Sequence, residues 1–207
     1  MTEPSQDLNY GVTNFIFDGN ELKPYMPYRL STILGTARKM KQLSMRSCQL
    51  EDDGLITLFE ALSYLRELKK VDFSSNRIHD KGLEGLTPFI GGYYGKTALK
   101  SMSFNNNCVT TRSLVTLFEK IEKTKNVLTE LNFAANDLTN DAAQFVSAWL
   151  KQMRMSDVDH SMNIIVCDLT QNKIMYRYLK DVESDLNVNR RYKQDAKNRK
   201  IQSELKQ

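Results

Sequence analysis

The chain has 207 residues, of which 41% are hydrophobic, and these values suit one domain with an ordinary packed core. The first twenty residues hold no apolar run of signal-peptide length, and no stretch is apolar enough to cross a bilayer. Three cysteines and no Asn-x-Ser/Thr site argue against a disulfide-bonded secreted protein, so we expect a cytoplasmic location.

The formal net charge of +4 is concentrated near the C-terminal end of the sequence. Residues 176–207 contain nine Lys or Arg and five Asp or Glu, whereas the twenty basic and twenty acidic residues before them cancel. The composition therefore predicts a neutral body followed by a basic tail.

A short phrase of alternating apolar residues that ends in a small polar residue occurs six times. Its clearest copy, Leu128 to Leu138, follows the pattern L-x-x-L-x-L-x-x-N-x-L with Phe133 at the third leucine position. The alternation predicts a short, half-buried strand, and the polar side chain can bond backbone groups that the turn leaves unpaired. In stacked repeats these side chains would form a ladder. They are Asn20, Cys48, Asn76, Asn107, Asn136 and Asn172, at intervals of 28, 28, 31, 29 and 36 residues.

Apolar residues at helical spacing follow each of the first five phrases, within 30–37, 55–62, 83–90, 114–121 and 142–150. Each repeat is thus predicted to be a strand followed by a helix. Asp52, Asp53 and Asp80 stand at helix starts, where carboxylates can bond free amides. A closing helix is indicated by Leu179 and the apolar residues after it, and the basic stretch that follows could prolong this helix or be disordered.

The phrase and the helices between its copies resemble the ribonuclease-inhibitor-like leucine-rich repeats, over roughly residues 12–186. The best matching stretches are Met40 to Leu62 and Leu68 to Ile90. The resemblance implies an α/β solenoid shaped as a horseshoe arc, with parallel strands on the concave side and helices on the convex side. We expect a flexible N-terminus (1–11), a repeat domain (12–175), a capping helix (176–189) and a basic tail (190–207).

The same resemblance implies a non-catalytic protein–protein interaction module, a small cytoplasmic scaffold or a subunit of a larger assembly, because this family mostly binds other proteins. Similar free-standing repeats occur in cytoskeletal and ciliary complexes and among actin regulators such as tropomodulin and the CARMIL scaffolds. We expect protein partners, no cofactor and no membrane contact. We also expect no metal site, because neither His79 nor His160 has further ligands at suitable spacing.

Two alternatives from other functional classes remain. GTPase-activating proteins for Ran share this repeat type and use an arginine in a strand-to-helix loop, where Arg77 lies, although here Arg77 follows the ladder residue. The basic tail could instead bind nucleic acid, although Tyr192 is the only aromatic residue in its basic stretch. A phosphate loop between Gly91 and Thr97 is excluded by its glycine spacing and by its position after a helix.

Candidate partner-binding residues come from three places. The outward-facing strand positions are mostly small and polar, and a glycine-rich connection carries an aromatic pair that suits a binding hot spot. The tail suits an acidic surface, such as an acidic protein patch, a tubulin-like acidic tail or phosphate. The candidates are Arg46, Lys70, Asp72 and Asn105 on the strands, Tyr93 and Tyr94 in the loop, and Arg190, Arg191, Lys193, Lys197, Arg199 and Lys200 in the tail.

Overall fold

The computed structural model describes residues 11–90, 98–124, 128–155 and 164–204. Within these ranges six strands form one parallel sheet in chain order. They are β1 (Asn14–Ile16), β2 (Gln42–Ser44), β3 (Lys70–Asp72), β4 (Ser101–Ser103), β5 (Glu130–Asn132) and β6 (Val166–Asp168).

Helices alternate with the strands in the described residues. They are α1 (Met26–Leu34), α2 (Asp52–Leu62), α3 (Asp80–Glu84), α4 (Thr87–Ile90), α5 (Thr111–Thr124), α6 (Asn140–Met155) and α7 (Tyr176–Glu204). Every strand pairs in parallel with the next one along the chain, in register with the repeat. The predicted α/β solenoid is therefore confirmed.

The apolar positions of the phrase form a continuous core between the strand layer and the helix layer. Val71 and Leu131 are fully buried, as the alternation predicts. Phe73, Phe104 and Phe133 stack in successive repeats, with ring centroids 5.8 and 5.6 Å apart. Each repeat thus buries its apolar face against its neighbours, so its stability depends on theirs.

The first helix departs from the sequence prediction. It ends at Leu34, before Ala37, and Ile33 is exposed although its spacing suggested a buried position. As the terminal helix of the stack, α1 has a helix neighbour on one side only, which is α2. The helically spaced apolar residues of α1 therefore form a wider apolar face than α2 can cover.

The predicted ladder runs from repeat to repeat along the turns that follow the strands. The side-chain amide of Asn76 donates to the carbonyl oxygens of Met45, at 2.8 Å, and Phe73, at 2.9 Å. Its Oδ1 accepts the backbone N–H groups of Cys48, at 2.9 Å, and Leu50, at 3.0 Å. One buried side chain therefore bonds backbone groups of two repeats, and the N–H groups of Cys48 and Leu50 depend on it.

The residue before each ladder position has a left-handed backbone, which the sequence pattern did not predict. The φ angles are 53° at Ser47, 58° at Ser75, 54° at Asn106, 53° at Ala135 and 57° at Gln171. Only the first repeat has glycine here, Gly19, with φ of 74°. Since a left-handed conformation costs an ordinary residue roughly 1–2 kcal/mol, the hydrogen bonds of the turns must offset this strain in five repeats.

A second set of hydrogen bonds joins the helix starts of neighbouring repeats. Asp52 Oδ1 accepts the N–H of His79 at 2.7 Å, and Asp80 Oδ1 accepts the N–H of Thr110 at 2.8 Å. The N-cap residue of α2 makes no side-chain cap bond. Asp52 and Asp80 thus bond free amides of the next repeat instead of their own helix, whereas Asp53 contacts Lys81 Nζ at 2.6 Å. Burial acts to raise the pKa of Asp80, and the bonds from Thr110 and Ser113 outweigh it and lower this pKa.

Candidate protein-binding surface

The first half of α7 is fixed to the solenoid by a buried carboxylate. Asp185 accepts hydrogen bonds from Ser147 Oγ at 2.6 Å and Arg154 Nη2 at 2.5 Å, and Lys151 Nζ lies 3.6 Å away. Burial alone would raise the pKa of Asp185, but the bonds from Ser147 and Arg154 and the charge of Lys151 lower it. Together with the buried Leu186, this contact holds α7 against α6.

Two residues of α7 cover the open edge at the start of β6. Asn189 Nδ2 donates to the carbonyl oxygen of Ile164 at 3.1 Å, and Arg190 Nε donates to that of Ile165 at 2.9 Å. In the preceding repeat the equivalent carbonyl, of Thr129, accepts the backbone N–H of Ile165 at 2.9 Å. The Arg190 side chain therefore takes the place of a seventh strand. Its Nη1 also contacts Glu183 Oε1 at 2.7 Å, so Arg190 belongs to the anchored half of α7.

The second half of α7, residues 191–204, continues the same helix beyond this anchor. Its fourteen residues correspond to about 21 Å of helix. Arg191, Lys193 and Lys197 are exposed, and α7 also contains Arg199 and Lys200. The structure thus decides between the two alternatives for the basic stretch, which prolongs the closing helix. We call residues 191–204 the projecting helix.

Three lysines form a row along the rim of the sheet where the strands begin. Lys41, Lys69 and Lys100 come directly before β2, β3 and β4, and all three are exposed. Lys69 N donates to Lys41 O at 2.8 Å, and Lys100 N donates to Lys69 O at 2.8 Å, so the three backbones are adjacent. We call these residues the lysine row. The row lies on the part of the chain whose basic and acidic residues cancel overall.

Arg190 holds α7 at the rim where the strands begin, and Lys193 stands three residues further along the helix. Burial and, next, the positive charge of Lys100 lower the pKa of Lys193. The sequence analysis missed the row because no single repeat is rich in lysine. A signal was nevertheless present, because each lysine stands seven residues before the ladder position of its repeat.

The concave candidates lie on or just after neighbouring strands, and three of them use part of their bonding capacity within the protein. Arg46 Nε lies 4.0 Å from Asp72 Oδ2, and Asp72 Oδ1 accepts the N–H of Ser74 at 3.0 Å. Asn105 Oδ1 accepts the N–H of Ala134 at 2.8 Å. Lys70 is exposed beside Lys69. Tyr93 and Tyr94 lie outside the described residues, so their predicted role stays a prediction.

Two segments of the chain, residues 36–59 and 64–86, match the family profile described as Leucine Rich repeat. This is a leucine-rich-repeat protein. Among solved structures, it is similar to the tropomodulin C-terminal domain of Caenorhabditis elegans, with 14% identity and a TM-score of 0.64. That alignment covers 84% of this chain and 97% of the tropomodulin chain, and it shows a shared fold.

Two further solved structures resemble this leucine-rich-repeat protein more weakly. The Leiomodin-1 Actin-Binding Site 2 has 12% identity and a TM-score of 0.49, with 94% of this chain and 92% of that chain covered. An internalin from Listeria monocytogenes has 16% identity and a TM-score of 0.39, with 74% and 48% covered. Both TM-scores are too low to support an argument about this protein.

Arg77 is the candidate for an arginine that acts on a GTPase. Its Nη1 lies 3.8 Å from Glu51 Oε1, and both side chains are exposed. The described residues contain no group of three His, Cys, Asp or Glu side chains that could hold a metal ion. No described helix is both long enough and apolar enough to cross a membrane.

Proposed function

We propose that this protein is a non-catalytic interaction module, a small scaffold or a subunit of a larger assembly, which binds a protein partner through the projecting helix. The observation that supports this most is the arrangement of α7. One half of α7 is anchored by Asp185 and Arg190, while the other half presents exposed Arg191, Lys193 and Lys197. Neither hydrogen bonds nor ion pairs within the described residues engage the side chains of these three cations.

The partner that fits this helix carries an acidic surface. Complementary charges accelerate the association of two proteins and fix their relative orientation, and they do so with little change in the buried area. A helix that extends from a rigid solenoid also keeps its charges in a fixed relation to the repeats, so ordering it on binding costs little entropy.

A cytoskeletal partner is the first class to test, in the cytoplasm or in a cilium. The solenoid shares its fold with the tropomodulin C-terminal domain over nearly the whole length of that domain. Fold likeness alone does not transfer a partner. Actin filaments and microtubules are the natural first probes, because both expose acidic protein surfaces.

The alternative functions have less support. Arg77 stands beside a carboxylate of the neighbouring repeat, which favours a structural pair over an arginine that acts on a GTPase. Binding of single-stranded nucleic acid would favour several exposed aromatic residues among the basic ones, and Tyr192 is the one in the basic stretch.

The test is co-sedimentation with actin filaments and with microtubules, at low and at physiological salt, alongside purification of the protein with its partners at native expression level. A truncation after Arg190 removes the projecting helix and keeps the anchor, and circular dichroism melting verifies that it folds. We expect a specific partner whose binding weakens on truncation and at higher salt. A monomer that binds neither polymer and co-purifies with no protein would refute the proposal.

A further inference from the structure

We infer that the lysine row and Lys193 form one basic surface, and that this surface binds an extended acidic peptide segment of the partner. The inference rests on the proposed function and deepens it, because it names a second part of the contact and the chemistry of the segment. It extends the binding surface from α7 onto three consecutive repeats.

The pairing of cations differs between the two rims of the solenoid. On the rim where helices begin, Lys81 Nζ lies 2.6 Å from Asp53 Oδ1, and Lys173 Nζ lies 2.8 Å from Asp137 Oδ1. Each of these pairs joins neighbouring repeats. In the lysine row, no described carboxylate lies within ion-pair distance of Lys41, Lys69 or Lys100. Among the described residues, cations are thus paired with carboxylates on one rim, whereas the three adjacent lysines of the row are not.

Such a row raises the free energy of the unbound protein slightly, because lysines in adjacent repeats repel one another. Partial burial and, next, the positive charge of Lys100 lower the pKa of Lys193 on α7. An anionic ligand would relieve this repulsion at four side chains together. Stability therefore gives no reason for the arrangement, whereas binding of an anion does.

The spacing fits an extended polypeptide. Neighbouring strands lie about 4.8 Å apart, so the backbones of the row span roughly 10 Å from Lys41 to Lys100. An extended peptide rises about 3.3 Å per residue, so three or four of its residues cover this distance. Further acidic residues would continue onto Lys193 and Lys197, which are one helical turn apart on α7.

The surroundings favour a peptide over nucleic acid. Gln42 and Ser101, the first residues of β2 and β4, are polar and offer no stacking platform beside the row. Asp72, Glu130 and Asp168 on the concave face are acidic and confine an anionic ligand to the rim. A narrow acidic chain can follow that rim, whereas a wider phosphate backbone would meet these carboxylates.

The experiment measures fluorescence anisotropy of a fluorescein-labelled peptide of twelve glutamates with the full chain. The test variant is Lys69→Gln with Lys100→Gln. The matched control is Lys81→Gln with Lys173→Gln, which removes the same charge from the opposite rim. We expect the test variant to bind roughly three- to tenfold more weakly, from the usual contribution of two exposed charge pairs. The control should stay within about twofold of the unaltered protein by the same reasoning.

Two further arms separate this inference from the proposed function. The truncation after Arg190 should also weaken binding of the peptide, and a twelve-nucleotide single strand should bind more weakly than the peptide and respond less to the row substitutions. Loss with the truncation but not with the row variant would overturn the inference and leave the proposed function standing. Weaker peptide binding by the row variant, with unchanged binding after the truncation, would mean that the lysine row contacts the peptide and that the projecting helix does not. Equal losses in both lysine variants, or tighter binding of the oligonucleotide, would also overturn the inference.

Discussion

Replacing Asn136 with alanine should destabilise the protein more than the same change at Asn20. Asn136 is buried, and its side-chain amide donates to the carbonyl oxygens of Phe104, at 2.9 Å, and Phe133, at 3.1 Å. Its Oδ1 accepts the N–H of Val109 at 3.0 Å. The substitution leaves the buried N–H of Val109 without a partner, whereas the Phe104 carbonyl keeps its bond from Asn107 Nδ2 at 3.0 Å.

The cost follows from what happens to that N–H group. A buried donor or acceptor that loses its partner costs about 1–3 kcal/mol. With one such group, at Val109, we expect the free energy of unfolding to fall by about 1–3 kcal/mol. Since the stability of a repeat depends on its neighbours, the loss should lower the cooperativity of the whole solenoid.

Asn20 supplies the matched control, because it is the ladder residue of the first described repeat. It is exposed, and its bonds within the described residues go to the carbonyl oxygens of its own turn, at Phe17 and Asp18. Its replacement by alanine should cost no more than about 1 kcal/mol. Urea denaturation followed by circular dichroism gives both values. Equal small losses at the two positions would show that the ladder does not bond the repeats together.

Three more predictions use the same assay. Leu131→Ala should cost about 2–5 kcal/mol, because Leu131 is fully buried, and a loss below about 0.5 kcal/mol would mean that the strand faces are inverted. Ala135→Val should cost more than about 1 kcal/mol because a β-branched side chain suits a left-handed backbone poorly, whereas Ala135→Gly should be nearly neutral; equal effects would argue against the left-handed turn. Asp185 has a lowered pKa, so its stabilising effect is present above the ordinary carboxyl value of 3.8 and is lost as the pH falls through its lower folded value. The stability difference between the unaltered protein and Asp185→Asn should therefore shrink below about pH 4, and a difference that grows there would contradict the assigned contacts.

Much of the solenoid could be predicted from the sequence because its buried apolar residues recur at regular intervals. Leu131 and Phe133 alternate with polar residues, and the recurrent asparagines mark where each turn must satisfy backbone groups. Helical spacing predicted α2, α5 and α6 for the same reason. It failed at Ile33 because α1 is packed on one side only.

Other features depend on how the repeats align, and a periodic pattern within one repeat does not contain them. Asp52 bonds His79 of the next repeat, so its partner is set by the stacking and not by the local helix. The lysine row appears only when three repeats are placed in register, because exposed residues leave no trace of burial. The sequence also did not separate the anchored half of α7 from the projecting helix. Arg190 is one of several basic residues in this stretch, and only the structure places it beside the carbonyl oxygen of Ile165.

The most direct measurement of the basic surface is zero-length carbodiimide crosslinking of the protein to the partner that co-sediments with it, followed by mass spectrometry of the crosslinked peptides. This reagent joins lysine amines to carboxylates that are already in contact, so each crosslink reports an ion pair across the interface. Crosslinks should concentrate at Lys193, Lys197, Lys100 and Lys69. Crosslinks confined to Lys81 and Lys173, on the opposite rim, would contradict the account.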